Sequence, residues 1–108
     1  MEDIMLEKSS ENVFADIGLD APEERLAKSD LALKIAQIIN KRSLSQVQAA
    51  ILLGITQPKV SAILNGRLKG FSLEKLMLFM IALDQDVEIV VKRKPKAREH
   101  GRLRVIYS

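Results

Sequence analysis

The 108-residue sequence predicts a mainly α-helical bundle followed by a C-terminal β-strand or β-hairpin. Three observations predict it. Asp20, Ser45, Thr56 and Ser72 are N-cap residue types, and each opens a stretch with apolar residues at helical spacing. At Asp86 the apolar period changes to two, the spacing of a half-buried strand. The length leaves room for one domain with one modest core.

Taken in order, residues 1–19 are polar with scattered apolar residues and no sustained period, which predicts an N-terminal arm. A first helix is expected from the Asp20 cap to about Arg42. Pro22 is tolerated in its first turn, and Glu23, three residues after the cap, completes a capping-box-like arrangement. Ala27, Leu31, Ile35 and Ile38 share its buried stripe. Lys41 and Arg42 suit the negative end of its dipole. Ser45 opens a second helix with Gln48 as capping-box partner, and Gly54 ends it. Thr56 caps a third helix, with Gln57 and Pro58 in its first turn and Asn65-Gly66 at its end. Ser72 caps a fourth, whose Leu73, Leu76, Met77 and Met80 share one face. Val87, Ile89 and Val91 then alternate with Glu88, Val90 and Lys92 as a strand. Leu103 to Tyr107 forms a second β-rich segment beyond a polar stretch containing Pro95 and Gly101. An isolated two-stranded hairpin is marginal in water, so it needs the helices or another subunit beside it. The boundaries are therefore an arm over 1–19, a helical domain over 20–85, and a β extension with a basic tail over 86–108.

Composition narrows the functional classes. The core must be aliphatic, because only 4% of residues are aromatic. Absence of cysteine excludes disulfides and thiolate metal sites and suits a reducing cytoplasm. The longest apolar run, Leu76 to Leu83, is far shorter than the ~20 residues of a membrane span. The acidic start Met1-Glu2-Asp3 is unlike a signal peptide. The expectation is a cytoplasmic protein without membrane contact. Charge is asymmetric: residues 92–108 hold 7 of the 17 basic side chains, and residues 1–28 hold 8 of the 14 acidic ones. A basic tail suits a polyanion partner, although a solvated charged terminus explains the same charges.

The segment Gln46 to Asn65, QVQAAILLGITQPKVSAILN, reads as two short helices joined by Gly54-Ile55-Thr56. Helices crossing steeply through a three- or four-residue turn need close backbone approach, which calls for small residues and often a glycine. Ala50 and Gly54 meet that need, while Ile55, Val60 and Ile63 are spaced to clamp the second helix to the core. This pattern resembles the helix-turn-helix of the phage-repressor (XRE/Cro) superfamily at Gln46, Ala50, Gly54, Ile55, Val60 and Ile63. The trailing Asn65-Gly66-Arg67 matches too. The resemblance implies a lambda-repressor-like bundle that binds DNA. Residues 12–19, 57–61, 70–73 and 86–91 further resemble HigA-like antitoxin regulators. That resemblance implies a homodimer that represses its own operon and silences a RelE/HigB-like ribonuclease toxin.

For a DNA reader, the outward side of the third helix would enter the major groove, which admits a helix and distinguishes all four base pairs. Gln57 suits adenine N6 and N7 together. Lys59 suits guanine O6/N7 or a phosphate. Ser61 suits a phosphate or base edge, and Pro58 and Ala62 suit a thymine methyl. Gln46 and Thr56, at two helix N-termini, are placed for backbone phosphates, and Arg67 and Lys69 add charge in the following loop. One such helix reads too few bases, so a two-fold homodimer on an inverted repeat of double-stranded DNA is expected.

No catalytic constellation is visible and no cofactor or metal is expected. His100, the only histidine, lies in a polar, basic stretch. Asp84, Asp86 and Glu88 alternate like calcium ligands but lack the EF-hand glycine and distal glutamate. The rival readings are a protein–protein module using the C-terminal strands for sheet augmentation, and a standalone regulator without a toxin. Single-stranded RNA readers need stacking aromatics, which are nearly absent here. Ile51, Leu52 and Leu64 are apolar where polar residues are common in the superfamily. They are expected to pack under the arm or the hairpin, the alternative being contact with a second subunit or a toxin.

Overall fold

Caps set where the helices begin, and one aliphatic face per helix sets how they pack. The computed structural model describes residues 21–107 and contains α1 (Ala21–Lys41), α2 (Gln46–Leu53), α3 (Gln57–Leu64) and α4 (Leu73–Ala82). The arm expected over 1–19 and the cap expected at Asp20 lie outside the described residues. The capping box of α2 is complete. Ser45 Oγ accepts from the Gln48 amide at 3.0 Å, and Gln48 Oε1 accepts from the Ser45 amide at 2.8 Å. Ser72 Oγ likewise accepts from the Lys75 amide at 3.0 Å at the head of α4.

The helix α1 packs against α4 and α3, and α2 packs against α3 and α4. Ile35, Ile39, Leu76, Leu83 and Val60 are the largest fully buried side chains, and each such burial contributes ~1.5–3 kcal/mol. The stripe of α1 runs through Ala27, Leu31 and Ile35 as expected but ends on Ile39, with Ile38 only half-buried. On α4 the buried face also includes Phe79, which meets Phe71 edge-on at 6.2 Å between ring centroids. No polar or charged side chain is buried among the described residues. Arg42 does not serve its own helix end. Its guanidinium donates to the Leu83 carbonyl at 3.3 Å and pairs with Asp84, also at 3.3 Å, tying the end of α1 to the end of α4.

The expected C-terminal β-strand or hairpin is not formed. Among the described residues every regular element is helical, and beyond residue 85 the one backbone–backbone hydrogen bond is a local turn from Arg98 to Pro95. The period-two segments carry no regular secondary structure, and each has a different surrounding. The Leu103 amide donates to Glu23 Oε2 at 2.9 Å, and the Tyr107 hydroxyl donates to the Asp30 carbonyl. Lys34 Nζ sits 5.2 Å from the Tyr107 ring centroid, a cation–π contact. Leu103 and Val105 pack on the core. The second segment thus takes α1 as its neighbour, and no ladder joins it to the first. Within the first segment Val87 touches the core, whereas Ile89 and Val90 are both 76% exposed and Val91 is 90% exposed. Alternation therefore misread both segments as strands. It could not say which groups would satisfy their backbone.

Docking of the second segment has a spectroscopic consequence. Burial, with the Asp30 carboxylate adding to it, pushes the Tyr107 phenol up to about 12. A raised pKa on this acid favours the neutral form in the folded state. The associated stability is therefore complete below the unfolded value of about 10 and is lost as pH rises through the folded one. Tyr107 is the only tyrosine, so tyrosinate absorbance reports it alone. The expected native midpoint is well above that of a free tyrosine. A midpoint at the free value would mean that residues 103–107 are not docked on α1.

Candidate nucleic-acid interface

The junction between α2 and α3 is built from three backbone choices. Gly54 ends α2 in the left-handed region (φ 72°, ψ 31°), and its amide donates to the Ala50 carbonyl at 2.9 Å. The Ile55 amide donates to the same carbonyl at 3.0 Å, closing the turn. Thr56 is extended (φ −80°, ψ 158°), and its Oγ1 accepts from the Lys59 amide at 3.4 Å, starting α3 with Pro58 in its first turn. The two helices meet at 105°. Such an angle demands short side chains at the crossing, and Ala49 and Ala50 are both buried there. Val60 and Ile63 are buried on the opposing side, so the inward face of α3 is committed to the core.

The remaining face of α3 is thereby presented outward. Gln57, Pro58 and Lys59 are exposed, and Ser61 and Ala62 are half-buried. Gln57 Nε2 donates to Gln46 Oε1 at 3.4 Å, so the first residues of the two helices form one polar pair. Asn65 Nδ2 donates to the Ser61 carbonyl at 2.8 Å and to Ser61 Oγ at 3.3 Å, which draws Ser61 partly into the helix end. Gly66 is left-handed (φ 73°), and the Arg67 amide returns to the Ala62 carbonyl at 2.8 Å. The chain then leaves with the side chains of Arg67 and Lys69 exposed. All nine residues singled out in the sequence therefore lie on α2, α3, the turn between them or the loop that follows.

Packing adds a residue that sequence reasoning missed. A shallow open depression beside α3 is lined by Pro58, Lys59, Ala62, Lys69, Phe71 and Lys75. Lys75, from the first turn of α4, thus joins Lys59 and Lys69, with its ammonium 5.9 Å from the Phe79 ring centroid. The only sequence signal for it was the Ser72 cap, which locates the helix start without saying what it faces. Basic charge predominates in this part of the sequence, with Glu74 next to Lys75 as the exception. Residues 31–73 contain no aspartate or glutamate but carry Lys34, Lys41, Arg42, Lys59, Arg67 and Lys69. Expected cover for Ile51 and Leu52 is not seen among the described residues, where they are 78% and 41% exposed. No hairpin forms to cover them, residues 103–107 lie on α1, and the arm lies outside the described residues; Leu64 packs on the helical core rather than under either. Among the described residues no cluster of histidine, aspartate and glutamate is arranged to hold a metal ion, and no single helix is long and apolar enough to cross a membrane.

Comparison with known proteins places this geometry. Residues 13–92 match the family described as a helix-turn-helix domain. A solved structure assigned to the XRE family of transcriptional regulators is 48% identical, with a TM-score of 0.79 over 82% of this chain and 100% of that one. No curated protein matches the chain.

The turn itself can be tested by stability. A Cβ at Gly54 would meet nothing within 4 Å, so substitution there should cost only the left-handed backbone conformation. Gly54→Ala is expected to lose ~1–2 kcal/mol in urea unfolding, and Gly54→Asn less, because asparagine tolerates that region better. Equal losses, or none for alanine, would show that the turn does not depend on this conformation.

Proposed function

The chain belongs to the helix-turn-helix domain family, and on that premise we propose that it is a sequence-specific DNA-binding transcriptional regulator. The observation that carries the reading is the outward edge of α3. Its Gln57, Pro58 and Lys59 project beside Lys69 and Lys75, and residues 31–73, which include all but the last of these, carry no acidic side chain. In this reading α3 lies in the major groove. Gln46 takes one N–H of the Gln57 amide, leaving the other N–H and the carbonyl oxygen to bond adenine N7 and N6 together. Lys59 reaches guanine or phosphate, and Pro58 and Ala62 meet thymine methyl groups. Ser61 contributes through the part of its hydroxyl that Asn65 leaves accessible. Gln46 and Thr56 hold phosphates at two helix N-termini, and Arg67, Lys69 and Lys75 neutralise the adjacent backbone. A homodimer on an inverted repeat, with half-sites about 34–36 Å apart, doubles the number of bases read.

The finer reading is an antitoxin that represses its own operon and binds a RelE/HigB-like toxin. It is supported by the resemblance of residues 12–19, 57–61, 70–73 and 86–91 to HigA-like regulators. Exposed Ile51 and Leu52 on α2 add a surface suited to a protein partner. Co-expression with the adjacent reading frame is expected to yield a stable complex of the two chains. Independent purification of both products would remove the antitoxin role and leave the regulator.

DNA binding is tested by two substitutions that separate base contact from phosphate contact. Gln57→Ala should flatten sequence preference at one base position per half-site, and an unaltered preference profile would contradict its role. Lys69→Ala should weaken binding to all sequences alike and reduce the slope of log affinity against log salt by about 1. A loss confined to the preferred sequence would reassign Lys69 to base reading.

A further inference from the structure

The C-terminal segment returns to the start of α1 and brings a dense positive charge there. The Leu103 amide donates to Glu23 in the first turn of α1, and the Tyr107 hydroxyl donates to the Asp30 carbonyl, so residues 103–107 run along α1 in its own direction. The basic loop 92–102 therefore ends beside the first turn of that helix. Lys92, Arg93, Lys94, Lys96 and Arg102 are exposed, and Arg98 is half-buried. The loop has a turn of its own. The Arg98 amide donates to the Pro95 carbonyl at 3.2 Å, and Lys94 Nζ donates to the Arg98 carbonyl at 2.7 Å. Glu99, the one acid in the loop, lies 3.9 Å from His100. Among the described residues no carboxylate forms an ion pair with any of the loop's lysines or arginines.

We propose that the occupant of this basic loop is the acidic arm of the same chain, residues 1–20. The arm carries Glu2, Asp3, Glu7, Glu11, Asp16 and Asp20 against a single Lys8. It joins α1 at Ala21, next to the Glu23 that holds Leu103, so opposite charges are delivered to one end of one helix. Exposed ion pairs are individually weak. Tethering changes the balance: both segments are fixed within a few residues of their meeting point, which makes the contact unimolecular at an effective concentration in the millimolar range. The DNA half-site is less well placed. From Glu23 to Lys41 the helix α1 rises about 27 Å, and Lys41 is the end that leads to α2 and the Gln46–Gln57 pair. The anchored end of the loop thus sits at the far end of α1 from the junction with α2. In place on the loop, the arm is an internal polyanion that screens these cations from phosphate backbones and leaves α3 free. That consequence rests on the DNA-binding reading, whereas the contact itself requires no DNA.

The test uses the full chain, which contains no cysteine, so Ser9→Cys gives a unique site in the arm for a nitroxide label and keeps every acidic residue. At low salt and without DNA, the label is expected to broaden the amide resonances of residues 92–102. The broadening should fall in 1 M salt, where charges are screened beyond about 3 Å. It should fall equally at low salt when Glu2→Gln, Asp3→Asn, Glu7→Gln, Glu11→Gln and Asp16→Asn are combined. Broadening that is the same in all three samples would reflect the tether alone and overturn the proposal. Equal broadening of isotope-enriched, unlabelled chains mixed with labelled, unenriched ones would assign the loop to a second copy's arm, and the proposal would fail. Binding to random-sequence duplex DNA then reads the screening. The five arm substitutions should tighten it several-fold, and far less in a chain that also carries Lys92→Gln, Lys96→Gln and Arg102→Gln. An unchanged affinity, or an equal gain in that second background, would remove the screening role. Salt-sensitive broadening with no DNA affinity in any variant would refute DNA binding and leave the contact standing.

Discussion

The structure depends on a short contact between two helices meeting at 105°, made possible by Ala49, Ala50 and the left-handed Gly54. Close approach lets Val60 and Ile63 reach the core from α3, and their burial fixes the rotation of that helix about its own axis. Rotation is what matters for recognition. With Val60 and Ile63 facing inward, helical geometry leaves Gln57, Pro58 and Lys59 with no course but outward. A bulkier residue at the crossing would separate the helices and turn that edge away from its present direction.

The other helices act as a mount for this pair. The helix α1 spans the bundle beneath α3 and α4, and Arg42 binds its end to the end of α4 through the Leu83 carbonyl and Asp84. At the opposite end of α4, Lys75 stands with Lys59 and Lys69 around one depression. Three lysines close together repel one another. The arrangement holds because all three side chains are exposed to solvent at the rim of an open depression. Unneutralised positive charge at the surface is what a phosphate backbone rewards.

The C-terminal region shows how two similar sequence patterns diverge in context. Leu103 to Tyr107 meets a helix carrying an available carboxylate and carbonyl, and it docks there. Asp86 to Lys92 leaves α4 after the left-handed Asp84 and keeps only Val87 on the core. Both segments have the alternation of a strand. A strand is complete only when its backbone is paired, and the pairing partner is a property of the surroundings.

Local chemistry determined most of what the sequence revealed. Caps at Ser45, Thr56 and Ser72, the glycine turn, and the inward Ala50, Val60 and Ile63 all follow from interactions among residues a few positions apart, and each could be read directly. The positions of the nine candidate residues on α2, α3, the turn between them and the next loop were legible for the same reason. Tertiary structure decided the rest: Ile39 rather than Ile38 in the stripe, Phe79 in the core, and Lys75 beside Lys59. It also set the 103–107 segment on α1 with no hairpin, and among the described residues nothing covers Ile51 and Leu52. Those outcomes depend on which surfaces meet across long stretches of chain, and periodicity specifies a face without naming its neighbour.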